Sequence, residues 1–205
     1  GLTLCSAPGK TNEWMLGGAV GYIFDPSVLQ GAVKKNLHLP LEERLDAIIA
    51  EIDQTYPRRI STRKKWAFTI AGGVAGQLTL LYGSLSEYLL IVGFPVGTEG
   101  YSGRFAPSIY DVIIEGEHQT YTLGQIRPTI YLPGDMATLP RGTDKGCLMK
   151  QGNWLLEYAR GFIAQALPMG MLASSITTMD YRSVRRQFWE YSKICTREIL
   201  RGHLF

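Results

Sequence analysis

From Trp66 to Arg160 the chain is a succession of short runs rich in β-branched and aromatic residues: QLTLLYG, SEYLLIVGFPV, IYDVIIEG, QTYTLG, RPTIYLP, GCLMKQG and WLLEYAR. Gly, Pro and polar pairs separate them, and no helix-period segment interrupts the series. At Trp66 the apolar spacing becomes alternating, with Trp66, Phe68 and Ile70 set between Ala67 and Thr69, so strands begin there. Many short strands without crossover helices predict an antiparallel barrel or sandwich.

Helical signals flank this block. Residues 1–20 mix Gly, Ser, Pro and Lys and read as an extended arm. Asp25-Pro26 is a helix start that can cap exposed amides, and this helix is expected to end near Asn36. Leu39-Pro40 opens LEERLDAIIAEIDQTY, whose Leu41, Leu45, Ile48, Ile49, Ile52 and Tyr56 form one apolar stripe for packing on a core. Pro57 ends it, and Arg58, Arg59, Arg63, Lys64 and Lys65 read as a solvated basic connector, with an acidic membrane surface as the sharper alternative.

Beyond Gly161, FIAQALPMGMLASSI is apolar nearly all round but shorter than the roughly 18–20 residues that a spanning helix needs. It suits an interfacial position. Asp180 can cap a last helix in which Tyr181, Val184, Phe188, Tyr191, Cys195 and Ile199 share a face flanked by arginines. That pattern fits a helix resting on acidic lipid as well as one docked on the β-domain with a solvated basic side.

The 205 residues are 45% hydrophobic, enough for one domain with a core of its own, over about 21–205. A net charge of +3 without a basic run gives no reason to expect a nucleic-acid partner. Cys5, Cys147 and Cys195 are too scattered for a disulfide framework or a zinc site. His38, His118 and His203 read as solvated or locally bonded, and no metal site is expected. AGGVAG at 71–76 lacks the lysine and hydroxyl of a phosphate-binding loop.

Chemistry is concentrated in two carboxylates. Asp111 in IYDVIIEG and Glu157 in WLLEYARG each lie in an apolar β-prone run where burial is expected. Buried acids need a partner or a proton, so the two are natural partners that would share one proton. Such a pair offers a proton donor beside an anion at neutral pH, which is what an acid-catalysed double-bond shift requires, without a cofactor.

Four blocks, SLSEYLLIVG at Ser84, YSGRFAPSIYDVIIEG at Tyr101, LPRGT at Leu139 and LEYARGFI at Leu156, resemble the fungal C-8 sterol isomerases and the related sigma-1 receptor. The likeness runs from about Gly21 to the C-terminus. It implies an α+β fold: a cupin-like antiparallel β-barrel at about 66–160, N-terminal helices, and two C-terminal amphipathic helices at about 162–201 that cover the barrel mouth on a membrane. It also implies that Asp111 and Glu157 are the catalytic pair, with Tyr88 bonded to the glutamate. Leu80, Leu90, Val92, Phe105, Ile109, Met149, Leu167 and Tyr191 would line the substrate cavity. The chain departs from the family at Ala137 and Thr138, where the fungal enzymes carry histidines, at Val74, where the receptor has tryptophan, and at Leu172, Ala173 and Ser174, which lack an aspartate.

Three functions are compatible with these residues. The first is Δ8 to Δ7 sterol isomerisation, which LPRGT, LEYARG and Met149 favour. The second is noncatalytic binding of lipids or cationic amphiphiles, a protonated amine standing in for the carbocation. The third is a role as an accessory subunit of a larger membrane assembly, such as a respiratory complex, or as a homo-oligomer. The expected location is the endoplasmic reticulum membrane, with the mitochondrial inner membrane as the alternative.

Overall fold

The computed structural model describes residues 21–166 and 175–202. Two helices, α1 (Pro26–Lys35) and α2 (Leu41–Thr55), precede ten strands. The strands are β1 (Ala67–Ala71), β2 (Val74–Gly83), β3 (Glu87–Phe94), β4 (Thr98–Tyr101), β5 (Ser108–Glu115), β6 (His118–Tyr121), β7 (Thr129–Tyr131), β8 (Met136–Leu139), β9 (Gly146–Met149) and β10 (Asn153–Arg160). A last helix, α3 (Tyr181–Leu200), follows.

The strands form a six-stranded sheet in the order β1-β2-β3-β10-β5-β8 and a four-stranded sheet in the order β4-β9-β6-β7. Pairing is antiparallel within both. The architecture is cupin-like, but the sheets do not close into the single barrel expected from the sequence; they face one another around a cavity. Two strands had no sequence signal. β4 (TEGY) contains Glu and Gly, and β8 (MATL) is four residues long, so cross-strand pairing rather than propensity makes each a strand. AGGVAG is a hairpin: Gly72 and Gly73, at φ 59° and 87°, turn between paired Ala71 and Val74, which a residue with a Cβ would resist.

The central strands β3, β10 and β5 of the six-stranded sheet are largely buried on both faces, and the strand period divides their residues between them. Leu89, Ile91, Val112, Ile114, Leu156 and Tyr158 point outward into a core completed by Leu29, Val33, Leu45, Ile48, Ile49 and Ile52 of α1 and α2. Val92, Ile113 and Leu155 point inward, where Cys147 and Met149 of the facing sheet meet them. Asp25 caps α1 as its position predicts, accepting from the Ser27 and Val28 amides. A third buried acid, Glu87, accepts from the Ile23 amide at 3.0 Å and the Tyr158 hydroxyl at 2.6 Å, fixing the segment before α1 to the sheet.

α3 docks by its second half. Tyr191, Ile194, Cys195 and Glu198 are buried, whereas Tyr181 and Phe188, on the same expected stripe, are 66% and 56% exposed. The connector before β1 is not merely solvated: Arg59 pairs with Glu198 at 3.0 Å, Lys65 with Glu190 at 2.8 Å, and Lys64 with Asp46. Arg59 and Lys65 thus tie α3 to the connector that leads into β1, and Lys64 ties that connector to α2. Of the helix expected before it, residues 167–174 lie outside the described residues, as do the N-terminal arm and its Cys5. Among the described residues no helix is long and apolar enough to cross a membrane.

Glu198 has no exposed surface and serves both Arg59 and Arg201. Arg59 and Arg201 are 30% and 38% exposed, so solvent takes over part of what Glu198 supplies to them. Glu198→Ala is therefore expected to lower stability by about 2 kcal/mol, read as an earlier denaturant midpoint.

Candidate functional site

The register of three adjacent strands builds the site. β10 lies between β3 and β5, and Glu157 is paired with Leu90 on one side and Asp111 on the other. Directly opposite residues on an antiparallel pair share a face. The two acids therefore project together into a cavity of about 250 Å³. On β10 the inward residues run Leu155, Glu157, Ala159, and on β5 they run Ile113, Asp111, Ile109. Leu155 and Ile113 belong to the apolar cluster with Met149, and Ala159 and Ile109 to the one with Tyr191 and Cys195 of α3. The acids thus sit midway between an α3 end and an inner end.

Leu80, Tyr88, Leu90, Val92, Phe105, Ile109, Met149 and Tyr191 all line this cavity with the two acids. Leu167 lies outside the described residues. The Tyr88 hydroxyl donates to Glu157 Oε1 at 2.5 Å. Tyr191 is fixed by donating its hydroxyl to the Ser84 carbonyl. Its ring packs so closely on Gly83 that a Cβ there would come within 2.8 Å of it.

The sequence reading missed Lys145. Its ammonium is buried beside Asp111, with Nζ donating to Oδ2 at 2.8 Å. Asp111 is ion-paired to Lys145, and Glu157 is bonded to Tyr88. Nothing local in TDKGC marks this lysine; the fold brings it to Asp111 from 34 residues away. Burial alone would depress its pKa, but the Asp111 charge and hydrogen bond outweigh that and hold it above the ordinary lysine value.

Burial and then the Asp111 charge push Glu157 up from 4.5 to about 7, against the opposing pull of the Tyr88 hydrogen bond and the Lys145 charge. A carboxyl poised near neutrality can both give and take a proton. Tyr88 is raised well above its usual value, chiefly by burial, so it remains a hydrogen-bond donor. Ala137, one of the departures from the family pattern, pairs with Asp111 on the far side of β5. The small side chain there leaves Lys145 as the polar partner of that acid.

Comparison with known proteins bears on this constellation. Residues 10–203 match the family model described as ERG2 and Sigma1 receptor like protein. The chain belongs to that family. It is 35% identical over 156 residues to a protein erg2 homolog of Dictyostelium discoideum, covering 76% of this chain and 67% of that one. It is 32% identical to the C-8 sterol isomerase erg2 of Aspergillus fumigatus, covering 87% of this chain and 75% of the relative. It is also 32% identical to the sigma non-opioid intracellular receptor 1 of Gallus gallus, covering 84% and 78%. Among solved structures, an RmlC-like cupin from Shewanella frigidimarina covers 48% of this chain and 85% of its own, with a TM-score of 0.41 and 21% identity. Isomerases and receptors of the family are thus similar to this chain at the same level of identity.

Two tests follow from the electrostatics. Glu157 is raised in the folded state, so it contributes stability that is full below pH 4.5 and lost as the pH rises through about 7. Glu157→Gln should flatten the fall in denaturant midpoint across that window. Lys145→Met removes a charge that favours ionised Glu157, so the carboxyl stretch of Glu157, followed by infrared difference spectroscopy, should titrate at a higher pH than in the unaltered protein.

Proposed function

We propose that the chain moves a sterol double bond from the Δ8 to the Δ7 position. The observation that carries this reading is Glu157, a carboxyl held near pKa 7 in an apolar cavity beside a charged acid. In its protonated form Glu157 delivers its proton to one alkene carbon, and the adjacent ring-fusion carbon becomes a tertiary cation. Before transfer, ionised Asp111, Lys145 and neutral Glu157 sum to no net charge. After transfer Glu157 is an anion facing the new cation, so charge separates over a short distance in a medium that screens it poorly. A proton then leaves the carbon on the other side of the cation, taken by Glu157 or Asp111, and the double bond forms one position over. Proton gain and loss balance, so the step needs no cofactor.

Tyr88 positions Glu157 through its hydrogen bond. Lys145 holds Asp111 in place and keeps Glu157 from rising further. The outward surface of α3 exposes Phe188 and Trp189 beside Arg185 and Arg186, which suits contact with acidic lipid headgroups. We place the protein at the endoplasmic reticulum membrane on that basis and on its family, with the sterol entering from the lipid side.

Purified protein given a Δ8 sterol in deuterated water should yield Δ7 product carrying one deuterium. Glu157→Gln should lower the rate by on the order of 100-fold or more. The rate should be greatest below pH 7 and fall as the pH rises through about 7, since the donor form of Glu157 is then lost. Unlabelled product, or an unchanged rate in the variant, would remove this reading.

A further inference from the structure

His118 does not behave as the solvated or locally bonded histidine that its sequence context suggests. On β6 it pairs with Met149 of β9 and Tyr131 of β7, has no exposed surface, and lines the cavity. Neither Nδ1 nor Nε2 has a hydrogen-bond partner among the described residues. The other polar groups at the centre are matched, Tyr88 to Glu157 and Lys145 to Asp111. A buried imidazole with both nitrogens idle is costly unless something else in the cavity meets it.

Burial, reinforced by the Lys145 charge and opposed by Asp111, lowers His118 to about 4, so the ring is neutral at physiological pH. A neutral imidazole presents one N–H donor and one bare lone pair. A hydroxyl, with one donor and two acceptor sites, can satisfy either nitrogen. A charged headgroup would have to shed its water beside an Asp111–Lys145 pair that is already compensated.

We propose that His118 is a subsite for the ring hydroxyl of the sterol, which enters hydroxyl end first. This rests on the reading of the cavity as a sterol site. Placement fits the molecule: His118 is paired with Met149, which shares the inner apolar cluster with Leu155, and Leu155 is two residues, about 7 Å, along β10 from Glu157. In a fused-ring sterol the hydroxyl-bearing ring adjoins the ring that carries the migrating double bond. With the hydroxyl on His118 the alkene comes beside Glu157, and the alkyl tail runs toward Ile109, Ala159 and Tyr191 at the α3 end. His118 therefore orients the substrate without touching the reacting carbons.

The test compares binding of a 3β-hydroxy Δ8 sterol and its 3-deoxy counterpart to the full chain in detergent, by competition against a labelled sterol. The unaltered protein should prefer the hydroxylated sterol by about tenfold, the worth of one hydrogen bond. His118→Phe, which fills the site without polar atoms, should bring that preference close to unity while binding the deoxy sterol at least as well. His118→Gln, which keeps a donor and an acceptor, should restore part of it. Equal binding of the two sterols by the unaltered protein, or a preference that survives His118→Phe, would overturn the proposal and leave the sterol reading standing. Failure of the unaltered protein to bind either sterol would overturn the sterol reading itself.

Discussion

The pairing of Glu157 with Asp111 across β10 and β5 is the constraint on which the site depends. Side chains alternate between faces, so a one-residue slip of β10 would carry Glu157 into the helix-packed core and bring Leu156 or Tyr158 into the cavity. Packing on the other face holds the register. Leu156 and Tyr158 are buried against α1, α2 and neighbouring strands, and the Tyr158 hydroxyl donates to Glu87 at 2.6 Å. The acid site is therefore positioned by residues that point away from it.

This division of labour between the faces has an energetic logic. A glutamate raised to about 7 destabilises the folded chain at neutral pH, and a buried lysine must be desolvated before it can pair. Neither group is placed to strengthen the fold. The outer face, with its tightly packed aliphatic residues, offsets the cost by ordinary burial. Functional strain and structural stability occupy opposite sides of the same three strands.

α3 links the cavity to the outside. Its Tyr191 forms part of the wall, and the helix is held by a close ring-to-backbone contact at Gly83 and by ion pairs to the connector before β1. Arg63, Lys65, Arg186 and Glu190 from those same segments also border the cavity. The groups that seat the helix thus contribute to the cavity's polar margin, where a greasy ligand would meet charge before reaching the apolar interior.

Much of this was legible in the order of residues. Alternating apolar spacing after Trp66, the caps at Asp25 and Asp180, and the α2 stripe each report local physics, and the elements formed close to where those signals lie. Asp111 and Glu157 stood out because acids in β-prone apolar runs are rare, and family likeness named the cavity residues around them. β4, β8, Lys145 and His118 were not legible for one reason: what makes each notable is a partner, or the lack of one, supplied by strands far away in the chain. Sequence alone determined that two acids would be buried in sheets flanked by helices. Tertiary structure decided that one of them meets a lysine and the other a tyrosine, and that a histidine beside them has no partner among the described residues, because a buried group's charge and hydrogen bonds are set by what the fold brings within a few ångströms of it.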